Sequence, residues 1–274
     1  MNPSKGVGSR RRRRNNTATL RKRKRTGTRA RLAFYTCFTG GNKNPAFIQP
    51  SLPSTKYDCY FFTNNPDMQA SMQNTQWKVI MLDIPISTSK SIDVTLDHDP
   101  STIIEYNTID CMNNKKIRSC PHTLQYLDNY DYVCWFDTTL HVDEEKVEKL
   151  VDRLEKENKV IVLSKHVYQF GTVWGEYNEA MKYPRYSVDQ DRYKKYIESK
   201  IAETGTDVLP IHYCGGFSIR KLSSKIVTKF NEEWYANILR CGIEDQISLQ
   251  FVHQNYTNSI IPIEYKECWK YLHE

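Results

Sequence analysis

Residues Tyr132-Val133-Cys134-Trp135-Phe136-Asp137 decide the fold class: five apolar positions run without a break into a carboxylate, followed by Thr138-Thr139-Leu140-His141. An unbroken apolar run of this length reads as a strand buried on both faces, and such strands belong to sheets covered by helices on either side. Working outward, residues 32–38 (before Gly40-Gly41), 57–64 (before Asn65-Pro66), 77–82 and 159–163 have the same character. Helical patterns are expected over 111–127, 143–157, 176–183, 189–204, 222–239 and 245–253, and 208–219 reads as a further strand broken at Gly215-Gly216. In the stretch 143–157, Val147, Leu150, Val151 and Leu154 fall on one helical face. Apolar strands alternating with helices predict an α/β fold with a mostly parallel central sheet flanked by helices.

The chain has 274 residues and a formal charge of +7, but that charge is unevenly placed. Thirteen of the 39 Lys and Arg residues lie within residues 1–31, which hold no acidic residue, leaving 26 basic against 32 acidic residues in the rest. Residues 1–30 have almost no large apolar side chain, so the sequence predicts a disordered basic tail ahead of one domain over 31–274. Such a tail solubilises, or touches nucleic acid or an anionic membrane. A body with an acidic excess is a poor match to a protein whose main task is binding nucleic acid. Eight cysteines without a Cys-x-x-Cys pair predict free, buried thiols and show no zinc spacing. Eighteen tyrosines suit a polar cleft lined by aromatic rings. There is no run of about 20 apolar residues and no apolar segment after the basic start, so a cytoplasmic location is expected.

Ligands of open α/β sheets gather at the carboxyl ends of strands, which is where Asp137 falls. In an extended chain Asp137, Thr139, His141 and Asp143 alternate onto one face and offer oxygen and nitrogen ligands; the alternative is an Asp that caps the next helix. Upstream, Lys115, Lys116 and Arg118 are either a solvated helix face or the cations that absorb the charge of a departing diphosphate. Downstream, Glu244-Asp245-Gln246 opens a helix, as dipole partners or as the source of a general base. His212 precedes Cys214-Gly215-Gly216 and is either a ligand of diphosphate or metal or a core histidine. No base stands beside Cys214 to make it a nucleophile, and Trp174, Trp234 and Trp269 either stack on sugar rings or belong to the core.

The order of these pieces says more than each alone. Arg118-Ser119-Cys120-Pro121-His122, Tyr130-Asp131-Tyr132, Trp135-Phe136-Asp137, His166 with Trp174-Gly175-Glu176, and Asn231-Glu232-Glu233-Trp234 followed by Glu244-Asp245-Gln246-Ile247-Ser248 succeed one another across residues 32–255. This series resembles a plant and microbial group of GT-A nucleotide-diphospho-sugar glycosyltransferases, some linked to cell-wall mucilage. The resemblance implies a Rossmann-like GT-A fold and transfer of a hexosyl or pentosyl group from a nucleotide sugar, UDP-sugars first, to a glycan or other hydroxyl acceptor. It implies that Tyr35, Thr36 and Cys37 border the base, that Arg118 with Lys115 faces the diphosphate, and that Asp137 is the first acid of an Asp-x-Asp signature. His166 and Glu176 then sit at the sugar end, Asp245 and Gln246 line donor sugar or acceptor, and Asp245, Glu244 and Glu176 are the candidate catalytic carboxylates. Thr139 stands where that signature has its second acid, Arg118 where the group has Lys, and Glu244 where it has Arg. A divalent cation, Mn2+ or Mg2+, would therefore rest on Asp137 with help from His141 or His212, or be replaced by the basic cluster. The other readings are a tail-driven nucleic-acid-binding protein, a metal-assisted hydrolase, and a nucleotide-sugar-binding protein without turnover.

Overall fold

The computed structural model describes residues 30–41, 49–87, 92–96, 99–106 and 108–273, and for 92–106 the backbone alone. Residues 1–29 of the expected basic tail lie outside the described residues.

The strands are β1 (Leu32–Phe38), β2 (Asp58–Thr63), β3 (Lys78–Met81), β4 (Ile92–Leu96), β5 (Asp99–Tyr106), β6 (Tyr132–Phe136), β7 (Leu140–Val142), β8 (Ile161–Lys165), β9 (Tyr213–Lys221), β10 (Ile260–Ile263) and β11 (Trp269–Tyr271). The helices are α1 (Pro66–Met72), α2 (Thr108–Ser119), α3 (Glu144–Lys156), α4 (Val173–Ala180), α5 (Pro184–Ser187), α6 (Gln190–Thr204), α7 (Lys225–Cys241) and α8 (Asp245–Val252). Seven strands form one sheet in the order β10-β8-β9-β6-β1-β2-β3. Every neighbouring pair is parallel except those of β9, which is antiparallel to both β6 and β8. The α/β fold with a mostly parallel, helix-flanked sheet is thus present.

Neighbouring residues of the central strands feed opposite layers, because successive strand side chains point to opposite faces. Phe34, Phe61 and Cys134 pack with Val147, Leu150 and Leu154 of α3 on one face. Their sequence neighbours Tyr35, Phe62, Val133 and Trp135 pack with Ile117 of α2 on the other. The fully apolar strands of the sequence are therefore apolar because both faces are covered.

Several boundaries differ from expectation for local reasons. The Asn65-Pro66 pair that ends the second strand is also a helix start: the Asn65 side chain accepts from the Asp67 and Met68 amides, and Pro66 occupies the first helical turn. The helix expected over 111–127 is α2, which ends at Ser119 because Pro121 has no amide proton to continue it; short 3-10 turns follow at Pro121–Thr123 and Gln125–Leu127. The polar stretch after β3 forms the antiparallel pair β4–β5. Gly215 and Gly216 do not break a strand but lie within β9. All eight cysteines carry free thiols, seven of them buried. Among the described residues, no helix is long and apolar enough to cross a membrane.

Candidate active site

The direction of β9 builds the site. Because β9 runs against β6 and β8, its first residues lie at the edge where β6 and β8 end: Tyr213 is opposite Lys165, and Phe217 opposite Phe136. Asp137 after β6, His166 after β8 and His212 before β9 therefore meet at one edge, joined there by the amino-terminal turn of α8. The Asp137 amide donates to the Gly216 carbonyl (2.9 Å) and the His166 amide to that of His212 (2.8 Å). Asp137, His166 and the start of α8 border a cleft of about 590 Å³.

At one end of the cleft the charge is cationic. Lys115 and Arg118, three residues apart on α2, share a helical face and converge on Asp245. Lys115 Nζ lies 2.8 Å from Asp245 Oδ1, Arg118 Nη2 pairs with Asp245 Oδ2, and Arg118 Nη1 is 3.7 Å from Asp137 Oδ1. The Arg118 and Asp245 side chains are buried, whereas that of Asp137 is 43 % exposed. Burial by itself would raise the Asp245 pKa, but Arg118 and Lys115 hold it below the usual carboxylate value. The guanidinium lies across the backbone of β9: a Cβ on Gly215 would stand 1.9 Å from Arg118 Nη2, so any side chain there displaces the guanidinium. Its other side faces the buried Trp234 ring at 5.3 Å, and the Trp234 indole N–H donates to the Asp245 carbonyl (3.2 Å).

At the other end the groups are imidazole and carboxylate. His212 Nε2 is 2.7 Å from Glu176 Oε2, and Glu176 Oε1 accepts from the Gln246 amide (2.8 Å). One ligand atom each of His166, Glu176 and His212 lie within 4.8 Å of one another. Gly175, before Glu176 in the first turn of α4, lets Phe170 fold against the helix; a Cβ there would meet Phe170 Cβ at 2.3 Å. Burial would raise the Glu176 pKa, but the hydrogen bond and charge of His212 and the Gln246 amide bring it below its ordinary value. Burial pushes His166 down, toward the neutral ring. Glu244, the N-cap of α8, is pushed up to about 7 by burial and by the nearby Glu176.

Three consecutive residues at the start of α8 thus serve three purposes. Glu244 caps the helix, Asp245 holds the cations, and Gln246 bridges the two ends by accepting from the Gly215 amide (3.1 Å) while donating to Glu176.

Of the residues singled out in the sequence, Lys115, Arg118, Asp137, Thr139, His166, Glu176, Glu244, Asp245 and Gln246 line the cleft. Tyr35, Thr36 and Cys37, expected to border a nucleotide base, are interior and present nothing to it: Tyr35 donates to the Arg118 carbonyl beneath α2, and Cys37 Sγ faces the Asn114 carbonyl. The expected alternation of Asp137, Thr139, His141 and Asp143 on one face does not form. The chain turns after Phe136, Leu140 and Val142 go into the core, the His141 ring meets Ser51, and Asp143 caps α3. Asp137 and His212 are the pair expected to share a cation; among the described residues the group of three ligand atoms that lie together is that of His166, Glu176 and His212. A protein-held cation fits poorly at Asp137, which offers a single carboxylate with a guanidinium 3.7 Å away and Thr139 in place of a second acid. Cys214 borders the cleft, and burial pushes its thiol up to about 11, which disfavours the thiolate a nucleophile needs. Trp234 is core, behind Arg118. Sequence reading missed Arg185 on the wall of the cleft and Gln169 and Phe170 beside the histidines; of the rings it named, Trp269 lines the cleft, together with Tyr168, Tyr183, Tyr186, Tyr265 and Tyr271, which it did not name.

No protein-family model matches the chain, and no curated protein sequence matches it. Among solved structures the chain is similar to mouse xyloside xylosyltransferase 1 in its apo form, at 10% identity over 85% of this chain and 84% of that one, with a TM-score of 0.45. It is also similar to core-mannan synthase A from Aspergillus fumigatus in an Mn/GDP form, at 10% identity over 89% of this chain and 75% of that one, with a TM-score of 0.47.

Proposed function

We propose that this chain is a GT-A-type glycosyltransferase that takes a sugar from a nucleoside-diphosphate donor, UDP-sugars first, and passes it to a hydroxyl of a glycan or glycoconjugate. The observation that carries this reading is the convergence of Lys115 and Arg118 beside Asp137 at the carboxyl end of β6. Two cations fixed in a partly enclosed cleft suit a group that gains negative charge as it leaves, because preorganised charge needs no reorientation during the reaction. In the reaction proposed, the acceptor oxygen attacks the anomeric carbon, the bond from that carbon to the diphosphate breaks with its electron pair, and the acceptor proton passes to a carboxylate. Of the three candidates, Asp245 is committed to Lys115 and Arg118, and Glu176 is held ionised below its ordinary range. Glu244, at about 7, is the one poised near neutrality, which suits a general base. A Mn2+ or Mg2+ ion brought in with the donor would be held by Asp137 and diphosphate oxygens.

The test is thermal unfolding against UDP, GDP and CMP, each with Mn2+ or EDTA. A nucleotide at 100 times its dissociation constant stabilises by about 2.7 kcal/mol. A shift with one nucleotide that Asp137→Ala weakens supports the reading and names the donor class. No shift with any of them overturns the donor assignment and turns attention to a hydrolase or a tail-driven function.

A further inference from the structure

We propose that His166, Glu176 and His212 form a binding site for a divalent transition-metal ion, of the Zn2+ class rather than Mg2+ or Ca2+, separate from the cationic end of the cleft. Two imidazoles and one carboxylate are the donor set that Zn2+ and Co2+ take from proteins, whereas Mg2+ and Ca2+ demand oxygen.

The two histidines come from distant parts of the chain, yet their backbones are locked together. The His166 amide donates to the His212 carbonyl at 2.8 Å. The Gln169 side-chain amide then clamps both segments: Nε2 donates to the His166 and His212 carbonyls (2.8 and 3.1 Å), and Oε1 accepts from the His212 amide (2.9 Å). Phe170 packs on both imidazoles, with ring centroids 5.7 Å from His166 and 5.2 Å from His212. Such support is what a ligating residue needs if it is to be held before the ion arrives.

Each ring also offers one nitrogen to the cluster. His166 Nδ1 is 3.1 Å from the Tyr168 amide nitrogen, from which it accepts in one tautomer, and 3.1 Å from the Tyr168 carbonyl, to which it donates in the other. With the proton there, the Nε2 lone pair is left open, the arrangement usual for a metal-bound histidine. Glu176 is oriented by Gln246 on Oε1, which leaves Oε2 toward His212. The 2.7 Å from His212 Nε2 to Glu176 Oε2 is the separation of two ligands whose bonds of about 2.1 Å to one ion subtend about 80°. His212 is fully buried, and its Nδ1 has no partner among the described residues. The cleft supplies the remaining coordination positions from solvent or substrate, because His166, Glu176 and the neighbouring Tyr168 line its wall.

The test uses the full chain stripped of metal by chelation, without nucleotide. Co2+ is titrated while its visible absorption is followed, then displaced with Zn2+, with Mg2+ in excess as the control. The expected result is one equivalent of Co2+ with intense bands of nitrogen-containing low coordination, displaced by Zn2+ and not by Mg2+. His166→Ala, at the half-buried lip of the cleft, and Glu176→Gln, which keeps the side chain's shape, should each weaken Co2+ affinity by roughly 100-fold, and Asp137→Ala should leave it unchanged. Absence of a stoichiometric Co2+ spectrum in the unsubstituted protein overturns the proposal. So does affinity that survives both His166→Ala and Glu176→Gln, or that disappears in Asp137→Ala. Because no nucleotide is present, a failure here leaves the donor reading standing, and a failure of nucleotide binding leaves this site standing.

Discussion

The two ends of the cleft are built on the same turn of α8 yet solve the problem of buried charge in different ways. At the cationic end, Asp245 is surrounded by Lys115 and Arg118, and a full ion-pair set replaces the solvent that burial removed. At the imidazole end, Glu176 has neutral or weakly basic partners, the Gln246 amide and His212. A carboxylate between fixed cations gains from pairing and loses heavily when a partner goes. A carboxylate between an amide and imidazoles is less committed and is free to meet a cation brought from outside. The first arrangement suits an anionic ligand that competes for the cations, the second a cationic one. Gln246 couples the two by holding the Gly215 backbone and Glu176 at once.

The sharpest way to break this contrast is Asp245→Ala. It takes the ion-pair partner from Lys115 and leaves the almost wholly buried Arg118 with only the more distant Asp137, 3.7 Å away, and urea unfolding should show a loss of about 3–5 kcal/mol. A loss below about 1 kcal/mol would mean that the cationic end is solvated and that its resemblance to a buried ion-pair set is superficial.

Gly215→Ala acts on geometry alone. The new methyl group collides with Arg118 Nη2, so the guanidinium must leave its place over β9. Nucleotide affinity, read by calorimetry, should fall roughly tenfold or more, about 1.4 kcal/mol, while Co2+ binding at the far end is retained. Equal loss at both ends would show that β9, rather than Arg118, is what the substitution disturbs.

A third test separates the carboxylates by pH. Glu244 has a folded pKa of about 7 against an ordinary 4.5, so between these values the folded chain binds more protons than the unfolded one. Stability from this group therefore falls as pH rises from about 4.5 to about 7, and the penalty is complete above that. Glu176 is shifted the other way, so its contribution is present above 4.5 and is lost as pH falls through its lowered folded value. Glu244→Gln should flatten the decline between pH 5 and 7 and leave the acid limb in place. An unchanged slope would assign the decline to another group.

The central strands were legible in the sequence because their signal is local. Phe34 and Tyr35, or Phe61 and Phe62, are apolar on consecutive positions only where both faces of a sheet are covered, and the structure covers both. The cationic end was legible for a similar reason. Lys115 and Arg118 are one helical turn apart, Asp137 ends an apolar strand, and Asp245 opens a helix, so each is marked by its immediate neighbours. What joins them had no local mark: that Asp245 is the counter-charge of Arg118, 127 positions away in the chain, depends on how α2 and α8 both pack on α7.

The imidazole end belongs to the tertiary structure almost entirely. His166, Glu176 and His212 show no ligand spacing, since one follows β8, one lies in α4 and one precedes β9. They meet because β9 enters the sheet antiparallel between β6 and β8, which turns its beginning toward their ends. The same inversion carries Gly215 beneath Arg118 and sets the Asp137 amide on the Gly216 carbonyl. A residue sequence states which side chains a strand exposes, because side-chain alternation is a property of the single chain. The direction in which that strand is inserted depends on hydrogen bonds and packing with strands far away, and it is this direction that assembled the cleft.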